Sequence, residues 1–291
     1  MKQQKTSLFV VIDPTALHQI SLVKALLIAK LGDCHIHAFL CVQKDMKEAG
    51  AYASRKDFKR KTMAQASAWL KTLMLPCKLA GVPYTTEVVW NDNWVRRLVR
   101  SIEKSTCDLV IKSSYHHGRA RRFFSKTADY HLMHHCARPI LFTHQEQEWE
   151  SDRILACLDL ESDDSQHARL NDAILRDARA FAEIVGMDLF LACAWVSSIN
   201  REHLVLKPQQ HEIGAEQLGE HFELAAECVF LRQGPVVQTL QAICAESDPA
   251  IVVIGSLARR GIRGKVIGNT AEKLLDSVTA DLLVVNTSTA S

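Results

Sequence analysis

The sequence predicts an α/β protein made of two tandem domains, each a parallel sheet covered by helices on both faces. Three observations lead there. The chain repeats internally, with the second copy trailing the first by 146 residues at the start of the copies and by 143 towards their ends. Each copy holds five short, unbroken apolar runs separated by stretches of helical period. The length of 291 residues suits two domains of ~100–200 residues each.

The repeat is plainest near the end of each copy. Asp108-Leu-Val-Ile-Lys-Ser-Ser falls on Ile251-Val-Val-Ile-Gly-Ser-Leu, and the same spacing aligns Gly118 with Gly261, Thr127 with Thr270, Ala128 with Ala271 and Ala137 with Ala280. Leu8-Phe-Val-Val-Ile-Asp13 matches Ile154-Leu-Ala-Cys-Leu-Asp159, each an apolar run ending in Asp. The domains are therefore expected at 1–146 and 147–291, joined through the polar stretch His144 to Asp152.

In the first copy strands are expected at about 7–12, 35–42, 85–90, 108–112 and 139–143. In the second they are expected at about 153–158, 189–196, 227–232, 250–254 and 281–286. None alternates apolar with polar, so each should lie in a sheet covered on both faces. Helical spacing fills the gaps, as where Trp94, Leu98 and Ile102 share one face. Asp163-Asp164 reads as a solvated loop or a helix start. Alternating strands and helices give a parallel sheet, which binds ligands beyond the carboxyl ends of its strands where the strand order reverses. Asp13, Asp159 and the two polar loops fall at those ends.

The segment from Gly255 to Thr270 is the most informative. Gly255 leaves a strand and admits close approach, while Gly268-Asn269-Thr270 opens a helix whose free N–H groups suit a phosphate. Between them Arg259, Arg260, Arg263 and Lys265 set four positive charges within seven residues. A helix cap followed by a solvated basic loop would leave the same trace.

This segment resembles the nucleotide loop of the universal stress protein family, which runs Gly, two residues, Gly, nine residues, Gly, then Ser or Thr. Gly255 and Gly268 match at the correct separation, whereas Ala258 replaces the second Gly and Asn269 the Ser or Thr. Gly-Asn-Thr-Ala-Glu resembles the E-type tandem members of that family, and the likeness covers both copies. The resemblance implies two tandem doubly wound parallel-sheet domains of Rossmann-like order packed as a pseudo-dimer, and an adenine nucleotide such as ATP, with Mg, in the second domain. It assigns Asp159 to adenine or ribose and Val196 to the edge of the adenine, beside Gly255, Ala258, Arg259, Gly268, Asn269 and Thr270. The first copy keeps Asp13, Val42 and Thr127 but has Lys112 aligned with Gly255, so it is expected to be a degenerate, mainly structural counterpart.

Other chemistry finds little support. His131 and His135 stand one turn apart near His116, His117, His134, Cys136 and Asp129, yet neither HExxH nor CxxC accompanies them, so a surface or capping role is expected and no metal. GxSxG, GxxxxGK[ST] and GxGxxG are absent. The nine cysteines, an odd number without CxxC, read as reduced buried thiols of a cytoplasmic protein. No secretory signal or membrane-spanning run is read.

Residues 1–143 carry 23 Lys+Arg against 10 Asp+Glu, and residues 144–291 carry 12 against 23. A split of +13 and −11 fits halves that attract one another, and no nucleic-acid partner is expected because no basic run carries interleaved aromatics. The expectation is a stress-response binding protein, not an efficient enzyme, with homodimerisation open. A slow nucleotide hydrolase, or a purely structural protein with remnant loops, is the alternative.

Overall fold

The computed structural model describes residues 5–43, 54–114, 128–144, 148–162, 164–195, 214–256 and 269–286. The chain divides into two compact units, Met1–Ser114 and Tyr115–Ser291.

The first unit carries β1 (Thr6–Ile12), α1 (Ile20–Leu31), β2 (Cys34–Val42), α2 (Arg55–Leu73), α3 (Leu75–Leu79), β3 (Tyr84–Trp90), α4 (Trp94–Lys104) and β4 (Leu109–Ser113). Its strands are parallel in the order β3-β2-β1-β4. The strands fall within a residue or two of the sequence expectation. Leu8, Phe9 and Val10 are all fully buried, which explains why β1 lacks alternation. Asn93 accepts a bond from the Arg96 N–H to start α4, and Leu98 and Ile102 bury the predicted face.

In the second unit lie α5 (residues 128–135), β5 (Ile140–Thr143), β6 (Arg153–Leu158), α6 (Ser165–Val185), β7 (Asp188–Trp195), α7 (Ala215–Phe222), β8 (Val229–Gln233), α8 (Val236–Ser247), β9 (Ile251–Ser256), α9 (Asn269–Leu275) and β10 (Asp281–Asn286). The strand order is β5-β10-β9-β6-β7-β8. The chain steps from β6 out to β8, then returns to β9 on the other side of β6, so the order reverses between β6 and β9. The same reversal falls between β1 and β4 in the first unit. Right-handed crossovers on either side of such a point lay helices on opposite faces, the doubly wound arrangement.

β5 is the exception to parallel pairing. It runs antiparallel to β10, with Phe142 opposite Leu282 and Ile140 opposite Val284. By the sequence repeat residues 128–144 close the first copy, yet they pack within the second unit. The Tyr130 hydroxyl donates to Asp276 Oδ2 at 3.0 Å, Asn286 Nδ2 to the Cys136 carbonyl at 2.8 Å, and Ser256 Oγ to the Met133 carbonyl at 3.2 Å.

The stretch expected to be a plain linker is fastened down as well. Asp281 is fully buried and accepts from the His144 N–H at 2.8 Å and from Trp149 Nε1 at 2.9 Å, while the Trp149 ring meets Phe181 edge-on at 6.3 Å. A buried carboxylate needs such partners. None of the nine cysteines is bridged and seven are buried, in line with the reduced-thiol reading. Among the described residues no helix is long and apolar enough to cross a membrane.

Candidate functional site

Asp159 follows β6 directly, at the switch point of the second sheet. The Asn171 carboxamide on α6 clamps its main chain: the Asp159 N–H donates to Asn171 Oδ1 at 3.2 Å, and Asn171 Nδ2 donates to the Asp159 carbonyl at 2.6 Å. Its carboxylate folds back over the following turn. Oδ1 accepts from the Glu161 and Ser162 N–H groups at 3.0 and 3.2 Å, and Oδ2 from Ser162 Oγ at 2.8 Å. This is an Asx turn, which fixes the carboxylate while leaving part of it open to solvent.

α6 starts where it does because Asp164 caps it, accepting from the Gln166 and His167 N–H groups. The other Asp164 oxygen meets His167 Nδ1. The His167 N–H, and after it the ring, hold the Asp164 carboxyl below its usual range. His167 Nε2 then faces Asp159 Oδ2 at 3.7 Å. Twenty-one residues on, α6 ends at Gly186, whose φ of 69° is the left-handed value glycine adopts most readily.

Gly255 lies inside β9. A β-carbon there would stand 2.4 Å from Leu170 Cδ2 and 2.5 Å from Cγ. Glycine at this position thus admits the Leu170 side chain, whereas the sequence suggested a sharp exit from the strand and approach by a ligand.

These residues wall a cavity of about 270 Å³. Asp159, Ser162 and His167 form one side, Leu170, Asn171 and Ile174 of α6 another, and Gly255, Ser256 and Thr270 a third. Val236 and Leu240 of α8 add an apolar patch. The structure thereby gathers Asp159, Gly255 and Thr270 of the expected site. Asn269 is the first residue of α9. Val196, Ala258, Arg259 and Gly268 lie outside the described residues, as does Thr127 of the first copy.

The first unit repeats the clamp with different spacing. The Asp13 N–H donates to Gln19 Oε1 at 3.0 Å, and Gln19 Nε2 donates to the Asp13 carbonyl at 2.8 Å. Asp13 Oδ1 accepts from the Thr15 N–H and hydroxyl at 2.8 and 2.7 Å. α1 has 12 residues where α6 has 21, so the first unit lacks the helical turns that carry His167 and Leu170. Val42 ends β2 and is buried.

The strand register revises one alignment. Leu109 stands opposite Leu8 and Ile251 opposite Ile154. Counting along β4 and β9 from those pairs brings Ser113, not Lys112, to the level of Gly255. Ser113 Oγ there accepts from the Ser21 N–H of α1 at 3.0 Å. Lys112 is buried with Nζ donating to the Ser113 carbonyl at 2.9 Å. The ungapped sequence offset is out by one residue here.

The described histidines of α5 contact one another and α9. The His131 and His135 rings lie 4.3 Å apart, tilted by 46°, and His134 Nε2 meets Glu272 Oε1 at 2.7 Å. Burial, then the neighbouring His135 and His134, lowers the His131 pKa. No group of three or more metal-ligating side chains occurs among the described residues. His116 and His117 lie outside them. The sequence reading missed His167, Leu170 and the carboxamide clamps. A carboxamide within a dozen residues of each strand-end Asp was the available signal.

These features define a doubly wound α/β protein with a cavity at the switch point of its second sheet. Residues 150–286 match the model of the universal stress protein family. The chain is 26% identical to universal stress protein E of Escherichia coli (strain K12) over 295 residues, covering 96% of this chain and 93% of that protein. The same figures hold for universal stress protein E of Salmonella typhi. Among solved structures, a universal stress protein from Pseudomonas aeruginosa UCBPP-PA14 superposes with a TM-score of 0.75 at 24% identity, covering 97% of this chain and 93% of its own. One from Archaeoglobus fulgidus DSM 4304 gives a TM-score of 0.72 at 13% identity, covering 98% and 100%. Its second half is thus similar to the universal stress protein family over the matched residues, and nearly the whole chain is similar to universal stress protein E.

Proposed function

We propose that the chain is a cytoplasmic stress-response binding protein whose second half takes up an adenine nucleotide such as ATP without turning it over efficiently. The observation that supports this is the cavity beyond β6 and β9, where Asp159, Gly255 and Thr270 meet. Its volume approaches the lower end of ordinary ligand pockets, about 300–1,000 Å³. The apolar wall of Leu170, Val236 and Leu240 suits a base, and the Asp159 carboxylate suits base or ribose donors. Residues Ala258, Arg259, Gly268 and Asn269 would cover the phosphates, and Val196 would border the base. Magnesium, where present, would ride on the phosphates, its usual mode of binding. The first unit, whose shorter α1 withholds an equivalent wall, is read as a structural partner.

Calorimetry with ATP, ADP and AMP is the test. Binding should be lost in Gly268→Val, because a β-branched side chain crowds a loop meant for phosphate. Arg259→Ala should weaken it by roughly 1–3 kcal/mol, the range for a charge-assisted bond. Absence of heat with all three nucleotides at millimolar concentration overturns the reading.

A further inference from the structure

The His167–Asp159 pair leaves a gap of definite chemical character. Asp164 Oδ2 holds the ring at Nδ1, so Nε2 is the ring nitrogen turned towards Asp159 Oδ2. These two atoms face each other at 3.7 Å, too far for a direct hydrogen bond and open to a ligand group that bridges them. Asp159 cannot turn away, because the Glu161 and Ser162 N–H groups and the Ser162 hydroxyl hold its carboxylate. His167 cannot turn either, being held at its other nitrogen by the residue that caps its own helix. Both line the cavity.

We propose that His167 and Asp159 form a specificity pair that selects a ligand group with two polar hydrogens, one directed to Nε2 and one to Oδ2. The inference rests on the nucleotide reading above and assigns within it a residue, His167, that neither the motif nor the repeat indicated. Two parts of a nucleotide carry that chemistry: the exocyclic amine of the base and the vicinal hydroxyls of the ribose. Asp164 is a positioning residue, acting through the tautomer and orientation of the ring.

The experiment compares ATP, ITP and 2′-deoxy-ATP by calorimetry on the full-length protein at pH 8, in wild type, His167→Ala and Asp164→Asn. ITP lacks the amine but keeps the diol, and 2′-deoxy-ATP does the reverse. Wild type should bind one analogue at least tenfold more weakly than ATP, and which one identifies the group. In His167→Ala that ratio should fall towards one, with Asp164→Asn between, while unchanged circular dichroism shows the fold intact. A His167 serving only to brace the capping Asp164 would change affinity for all three alike and leave the ratio as in wild type, which overturns the proposal. Equal binding of all three by wild type also overturns it while the nucleotide reading stands. Failure to bind any of them overturns both.

Discussion

Leu170 lies where residue 255 would carry its β-carbon were it anything but glycine, its Cδ2 only 2.4 Å from that point. The strand residue and the helix residue have to be chosen together. Gly255→Ala should therefore destabilise the ligand-free protein by about 1–3 kcal/mol, the usual cost of overpacking. Leu170→Ala should be destabilising alone by about 2–5 kcal/mol, through the cavity it leaves. The two losses should not add, since each change relieves the other. Urea unfolding of the four proteins in this cycle measures the coupling, and strict additivity would mean the backbone yields instead.

Removing a clamp should strip two main-chain groups at once. Asn171→Ala and Gln19→Ala leave the N–H and carbonyl of Asp159 and Asp13 without these partners. Each should cost about 1–3 kcal/mol by urea unfolding. Only the Asn171 change should also weaken nucleotide binding, because only Asp159 borders the cavity. Equal binding losses in both variants would refute that division of labour.

Trp149→Phe keeps an aromatic ring against Phe181 but deletes the indole donor to Asp281. A bond to a buried carboxylate is worth about 1.5–3 kcal/mol, and the urea midpoint should drop accordingly. A drop below about 0.5 kcal/mol would mean that water replaces the donor.

Burial pushes the Cys193 thiol up to about 12 and those of Cys41 and Cys244 to about 11, from an ordinary value of 9.0. The folded state therefore holds these protons more tightly than the unfolded chain does. Their contribution is full below pH 9, declines as the unfolded thiols ionise, and is lost by pH 11–12. Melting temperatures at pH 8 and pH 10.5 should show this fall, and Cys193→Ala should lessen it despite lowering the melting temperature at pH 8.

The central strands were legible because they are buried on both faces, which leaves an unbroken apolar run such as Leu8 to Ile12. The apolar face of α4, and a helix start at Asp164 as one of two readings, were legible for a similarly local reason: each is written within a few turns of chain. Leu170 beside Gly255 was not, since nothing in the spacing of a leucine shows which strand glycine it covers. The clamps escaped because Gln19 lies 6 residues past its Asp and Asn171 lies 12 past its own, so the repeat hides their common purpose. Lys112 was misaligned because an ungapped offset cannot register a one-residue slip relative to the neighbouring strand.

The antiparallel seam between β5 and β10 governs where this gene can be cut. Dividing the coding sequence at the repeat boundary, between residues 146 and 147, would give a C-terminal product whose Leu282-Leu-Val-Val strand kept β9 but had lost β5 from its other edge. Such an apolar edge offers its unpaired N–H and carbonyl groups to any other copy, a recipe for aggregates or domain-swapped dimers. A fragment beginning at Tyr115 keeps the two strands together and should be the better behaved in expression trials.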